Sequence, residues 1–360
     1  MPPSDPIQPL DPDDAGDAPD AFEGIAELGD DDGLPGGIPA DQREFDLLVA
    51  GDLNPDILVL DPDPTPVFGQ VEKLVSVIRM TIGGSSAIMA AGAARLGLRV
   101  AFCGVVGEDE LGASMLASMA EHGVDVRASR VDSHVPTGAT VILSKGADRA
   151  ILTATGTIDR LTVDDIPVGL LATSRHLHVG STALQPELRA GLPDLFALAR
   201  ALDVTTSFDT NWDPDMRWDG VKPLLATADI CFPNLEEARR WTGLSDPVAA
   251  AHALASGEVA PRDPDAGPLT VVIKLGAEGA LALREGVMVR AGAPRVAVTD
   301  TTGAGDSFAA GFVAATISGW PLEEALRLAI ACGTASVRAI GGVDGQASLE
   351  EAAELMKNVR

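Results

Sequence analysis

From about residue 46 onward, short uninterrupted apolar runs alternate with longer stretches in which apolar residues recur every three or four positions. The runs at 46–51, 99–105, 176–180, 204–209, 228–232, 270–275 and 280–283 have the length of buried strands. The stretches 87–96, 108–122, 187–202, 234–242, 246–256, 305–318 and 321–336 read as helices. After Pro321, the residues Leu322, Ala325, Leu326, Ala329, Ile330 and Gly333 fall on one helical face. Ser348 followed by Glu351 spells a capping box for a last helix. Strands and helices in alternation predict an α/β fold whose central sheet is mostly parallel and covered on both faces.

Two regions break the alternation. Residues 57–60 and 71–82 alternate in part, with Leu74, Ile78 and Met80 on one face. Residues 127–160 read as a hairpin, with Val141-Ile142-Leu143 and Ala150-Ile151-Leu152 flanking a turn near Gly146-Ala147-Asp148. Together they predict a small separate β sheet, drawn from about 54–82 and 127–160, that serves as a lid. Residues 257–268, rich in Pro, Asp and Gly, read as a surface loop. Residues 1–44 lack apolar periodicity and hold 13 Asp or Glu against Arg43 alone. That composition predicts a disordered acidic N-terminal extension before an ordered domain at 45–360.

Charge and composition narrow the partners. The net charge of −27 leaves no basic footprint for nucleic acid. A field of that sign repels anions, so any phosphate site has to be built locally. No apolar run reaches the ~18 residues of a membrane span. Cys103, Cys231 and Cys332 are scattered among apolar or small neighbours, as in reduced thiols. With no leader-like apolar segment at the N-terminus, a cytoplasmic protein is expected.

The segment Asp300-Thr301-Thr302-Gly303-Ala304-Gly305-Asp306 opens a helix of small residues. The first N–H groups of a helix have no partner inside it, and the dipole adds positive potential, so this turn is an anion site. A carboxylate, Asp306, sits inside it. Taking a proton from a hydroxyl that attacks phosphorus gives such a group a reason to be there. Read alone, the turn also describes a tight helix start with Asp near the cap. The pairs elsewhere are equally double-edged. Asn54-Pro55-Asp56 stands at a strand end, where open α/β sheets bind ligands, and also spells an Asx-type turn. Gly83-Gly84 admits a ligand to the backbone or simply turns the chain. Asn234 and Glu237 have capping-box spacing. There is no Walker A loop, no dinucleotide fingerprint after the first strand, no serine nucleophile elbow and no zinc-type His pair.

The whole string from Asp300 to Asp306, followed by Ser307-Phe308 and Gly311-Phe312, resembles the C-terminal signature of the ribokinase-like (PfkB) carbohydrate kinases. Asn54-Pro55-Asp56, Gly83-Gly84, Pro136-Thr137-Gly138, Asp209-Thr210-Asn211, Asn234–Glu237 and Lys274–Gly279 resemble further landmarks of that family in the same order. The resemblance implies a ribokinase-like three-layer sandwich with a small β lid. It implies ATP-dependent phosphorylation of a primary hydroxyl of a small sugar. Asp306 would be the general base, with Gly303, Ala304 and Gly305 as the anion hole. Asn54, Asp56, Gly83, Gly84 and Thr137 would bind the sugar. Asn234, Lys274, Gly276, Gly279 and Thr302 would bind the nucleotide. Glu237 would order Mg2+ through water, and Asp300 with Thr302 would hold a monovalent cation, K+, beside a loop near residues 339–342. Dimerisation through the lid is implied by the same likeness. An adenosine-type nucleoside kinase and a catalytically silent sugar or nucleotide sensor are the alternative readings. The chain departs from the family at Ile88, where a sugar-contacting Asn is expected, and it contains no Tyr.

Overall fold

The computed structural model describes Ile38 and residues 40–360 apart from Gly146, Ala147, Asp215 and Asp219. Residues 1–37 of the expected tail, and the Gly146-Ala147 part of the expected hairpin turn, lie outside the described residues. Order is already present before residue 45. Ala40–Gln42 forms a 3-10 turn. The buried Arg43 donates to the carbonyls of Ile38, Ser174 and Leu202 at 2.9, 2.6 and 2.9 Å.

A nine-stranded sheet forms the centre. From one edge its strands are Val287–Ala291, Ala280–Arg284, Thr270–Lys274, Ile230–Cys231, Thr205–Phe208, His176–Val179, Leu47–Ala50, Val100–Cys103 and Val124–Asp125. Pairing is parallel except at the Ala280–Arg284 strand, which is antiparallel to both neighbours. The edge strand Val287–Ala291 carries no long apolar run, and the sequence pattern passes over it.

The sheet sorts its side chains by parity. Leu47 and Val49 join one apolar core, under the helices Ser85–Arg95, Ala304–Ile317 and Leu322–Ser336. Leu48 and Ala50 join the other, under Pro186–Ala201, Val221–Thr227 and Pro247–Ala255. Period-2 alternation across a sheet covered on both faces is why these strands read as continuous apolar runs. Each large aliphatic side chain so buried contributes roughly 1.5–3 kcal/mol. The three layers follow from that sorting.

The lid is a separate four-stranded sheet, in the order Val77–Gly83, Asn54–Leu60, Ala139–Lys145 and Asp148–Ala154. Two boundaries differ from the sequence pattern. Residues 71–76 form no strand; Asp61 takes the N–H and hydroxyl of Ser76 at 3.0 and 2.8 Å. Arg130–Asp132 leaves the expected hairpin and pairs with Val105–Gly107 in a two-stranded sheet. Apolar alternation marks a strand but not its partner, so the hairpin's limits were not legible. Cys103, Cys231 and Cys332 are buried free thiols. Among the described residues, no helix is long and apolar enough to cross a membrane.

Candidate active site

The site forms where the lid meets the ends of the central strands and the start of the Ala304–Ile317 helix. Gly303 precedes that helix in the left-handed region, with φ 73°. A Cβ there would lie 2.6 Å from Gly342 Cα and 3.0 Å from Ile88 Cγ2. Only glycine meets both demands. Among the described residues the N–H groups of Gly303 and Gly305 make no hydrogen bond, and that of Ala304 reaches only Thr301 O at 3.4 Å. These are open donors at a helix N-terminus, the elements of an anion site. Asp300 braces the turn. Its Oδ1 accepts the N–H and hydroxyl of Thr302 at 3.0 and 2.9 Å, and its Oδ2 accepts the N–H of Gly341 at 2.9 Å.

Asp306 lies in the first turn of the same helix. Its Oδ1 accepts the Ser85 hydroxyl at 2.5 Å. Burial, and then the charge of Asp209, push its carboxyl up to about 7. Asp56, on the lid strand, is likewise pushed up to about 7, by burial and then by Asp52 and Asp306. Asn54 leans on it, with Nδ2 3.4 Å from Asp56 Oδ1. Gly83 makes room for that carboxylate: a Cβ there would stand 2.1 Å from Asp56 Oδ1. Gly84 begins the next helix. Its cap is supplied from outside, since Asp52 accepts the N–H groups of Ser85 and Ser86 at 3.1 and 2.9 Å and the Ser181 hydroxyl at 2.8 Å. A carboxylate at a helix N-terminus is the favourable placement.

On the other side, Asn234 and Glu237 form a full capping box: each side chain accepts the other's backbone N–H, at 2.9 and 2.7 Å. This is the capping box that their spacing predicts. Glu237 Oε2 is engaged because a carboxylate three positions into a helix reaches back to the cap's N–H. Burial, then Asp209, hold Glu237 above the usual carboxylate range. Lys274 leaves its strand to meet Asp209 Oδ2 at 2.5 Å. Burial works to lower its ammonium, but the charges of Asp209 and Glu237 raise it above the ordinary value. Gly276 and Gly279 enclose a single 3-10 turn after that strand. From the lid, Arg149 Nη1 donates to Thr302 Oγ1 at 3.1 Å.

Asn54, Asp56 and Gly83 thus lie near Asp306, and Asn234, Glu237 and Lys274 join them through Asp209, while Gly276 and Gly279 follow Lys274 along the chain and Thr137 has another duty. Thr137 Oγ1 accepts the Gly107 N–H at 2.8 Å and donates to Asp109 Oδ1 at 2.7 Å, so its hydroxyl secures a loop. Ile88 does not stand in for a polar contact. It is buried against the turn, where a Cβ on Gly342 would meet its Cδ1 at 2.4 Å. Sequence reasoning missed Ser85 and Ser181, whose only signal was their nearness to Gly84 and to the end of the 176–180 run. Among the described residues no group of three His, Cys, Asp or Glu side chains is set to hold a metal directly.

Similarity to known proteins agrees with this geometry. The chain is 30% identical over 303 residues to the 2-dehydro-3-deoxygluconokinase of Bacillus subtilis (strain 168), covering 79% of this chain and 90% of that one. An adenosine kinase structure from Sinorhizobium meliloti superposes with a TM-score of 0.74 at 25% identity, over 86% of this chain and 99% of that one. A putative ribokinase II from E. coli in complex with ATP and Mg2+ shares the fold, with a TM-score of 0.74 at 22% identity over 87% and 99%. Residues 46–348 match the pfkB family carbohydrate kinase profile throughout, and the chain belongs to that family.

Proposed function

We propose that the protein transfers the γ-phosphoryl group of ATP to a primary hydroxyl of a small sugar or sugar-like substrate. The carrying observation is that Asp306 and the open N–H donors of Gly303 and Gly305 share one turn. A carboxylate lifted to about 7 is a stronger base than an ordinary one while still ionised near neutrality. In this reading Asp306 takes the proton of the attacking hydroxyl. The N–H groups of Gly303, Ala304 and Gly305 stabilise charge developing on the phosphoryl oxygens. Asn54, Asp56, Gly83 and Gly84 hold the sugar hydroxyls, and Thr137 stiffens the loop behind them. Asn234, Lys274, Gly276, Gly279 and Thr302 serve the nucleotide.

The acids fit Mg2+ in one particular way. The charge of Asp209 acts against that of the buried Glu237, a repulsion that a divalent cation would relieve. With no three-carboxylate cluster among the described residues, the two acids would hold Mg2+ through its water shell, the phosphates supplying further oxygens. Bound there, the ion would neutralise phosphate charge. A K+ ion beside Asp300 and Thr302 would reinforce the tie to Gly341; faster turnover in K+ than in Na+ at matched ionic strength is expected, and equal rates remove the idea. The outer face of the lid, where Ile78, Met80 and Leu152 are 65%, 48% and 63% exposed, suits a second copy of the chain. Light scattering on wild type and Leu152→Glu tests that pairing.

A coupled ADP-release assay across 2-dehydro-3-deoxygluconate, ribose, fructose and adenosine tests the main reading. Turnover of a sugar supports it. Turnover of adenosine alone moves the protein to the nucleoside kinases, which the Sinorhizobium meliloti likeness keeps in play. No turnover of any member leaves a silent sensor.

A further inference from the structure

Asp52, Asp56, Asp209, Glu237 and Asp306 are buried close enough to act on one another's charge, in a chain of net charge −27. A polyphosphate entering such a field needs a cation fixed where its charge is greatest. We infer that Lys274 is that cation: it meets the transferring phosphoryl group, and Asp209 is the residue that positions it. The inference rests on the kinase reading above.

The root of Lys274 is rigid. It ends the buried strand Thr270–Lys274, its N–H donates to Pro233 O at 2.9 Å, and its backbone bridges to Asn234. Its tip has a definite direction. A Cβ on Gly305 would lie 3.4 Å from Lys274 Nζ, 3.7 Å from Cδ and 3.9 Å from Cε, so the end of the side chain runs along the anion turn. A Cβ on Gly276, two residues from Lys274 on the expected nucleotide side, would meet nothing within 4 Å. The side chain has turned away from the Gly276–Gly279 segment and toward Asp306.

The remaining donors complete the case. An ammonium carries three. Among the described residues Lys274 spends one, on Asp209 Oδ2 at 2.5 Å. Its side chain is only 16% exposed, so little water reaches the other two. Buried donors of a charged group call for a partner. A phosphoryl oxygen held by the Gly303–Gly305 turn is an acceptor of the right charge at the right place. Oxygens gaining charge during transfer would draw more from this contact than the ground state does.

The test compares wild type with Lys274→Met and Lys274→Arg, using AMP and ATP as binding probes and the best sugar of the panel for turnover. The Met variant should bind AMP as wild type does and ATP at least ~10-fold more weakly, the loss of one charge-assisted contact. Its kcat should fall at least ~10²-fold, as for loss of an oxyanion donor. The Arg variant should recover part of both. Equal losses for AMP and ATP, or a kcat within ~3-fold of wild type, would overturn the inference. Because Met leaves Asp209 buried without its cation, the neutral double variant Asp209→Asn/Lys274→Met is measured too. A wild-type ATP-to-AMP preference in that folded protein would also overturn it, and loss of the preference supports it. Should wild type turn over no sugar, the kinase reading fails by that result alone, while the ATP-to-AMP preference still decides Lys274.

Discussion

Two groups of buried ionisable side chains sit on adjacent parts of the same sheet and have opposite characters. Within their two strands, His176 pairs with Thr205 and Ser207 at 2.7 Å each, and His178 pairs with the same Ser207 at 2.8 Å. Burial pushes these imidazoles down to about 3 and about 4, so both are neutral at physiological pH. Two residues beyond Ser207, just past the end of its strand, stands Asp209, whose charge helps hold Glu237 and Asp306 above the usual carboxylate range. The histidines find neutral protein partners on neighbouring strands. The carboxylates stand just past a strand end and in the first turns of two helices, on the side where open α/β sheets bind ligands. Burial against neutral hydroxyl partners produces structure; burial with charge left over produces a site.

Breaking the second group should cost activity most. Asp306→Asn is expected to lower turnover at least ~10²-fold while ADP binding persists, checked by single-turnover rates and calorimetry. Near-normal turnover would remove Asp306 from its role. Next in size is the pH response. Asp306 acts as a base only when deprotonated, so kcat/KM should rise with pH through about 7 and level off above it, falling about tenfold per unit on the acid side. A profile flat from pH 5 to 8 would contradict this.

Breaking the first group should do the reverse. Ser207→Ala takes a partner from both histidines and should destabilise the fold by about 1–3 kcal/mol in urea titration, leaving kcat unchanged. The smallest effect separates the groups by sign. The raised carboxyl of Asp306 contributes stability below its unfolded value near 3.8, and that contribution is lost as pH rises through about 7. The lowered histidines contribute stability above 6.5, which is lost as pH falls toward about 4 and about 3. Asp306→Asn should therefore be the more stable protein at pH 8, by at least ~1 kcal/mol, with the advantage shrinking toward pH 5. A pH-independent difference would show that the burial of this charge is not what lifts it.

Much of this was legible along the chain. The strand and helix order is local, because burial on both faces writes itself as continuous apolar runs. The anion turn is local too, since Gly303, Gly305 and Asp306 are neighbours and a left-handed residue before a helix selects glycine. Ser348 and Glu351 capped the last helix as their spacing foretold. The lid was legible as strands but not as pairings. Arg130–Asp132 went to Val105–Gly107, and the 71–76 stretch formed no strand, its last residue Ser76 being tied to Asp61.

The sequence by itself determined the layers, the family signature and the presence of a carboxylate inside an anion turn, because each depends on residues a few positions apart. Only the tertiary structure decided who holds those groups. Ser85 meets Asp306 across 221 residues, Arg149 meets Thr302 across 153, and Lys274 meets Asp209 across 65. No local preference encodes such pairs; they follow from which strand ends the sheet brings together and how far its packed cores keep water from the charges.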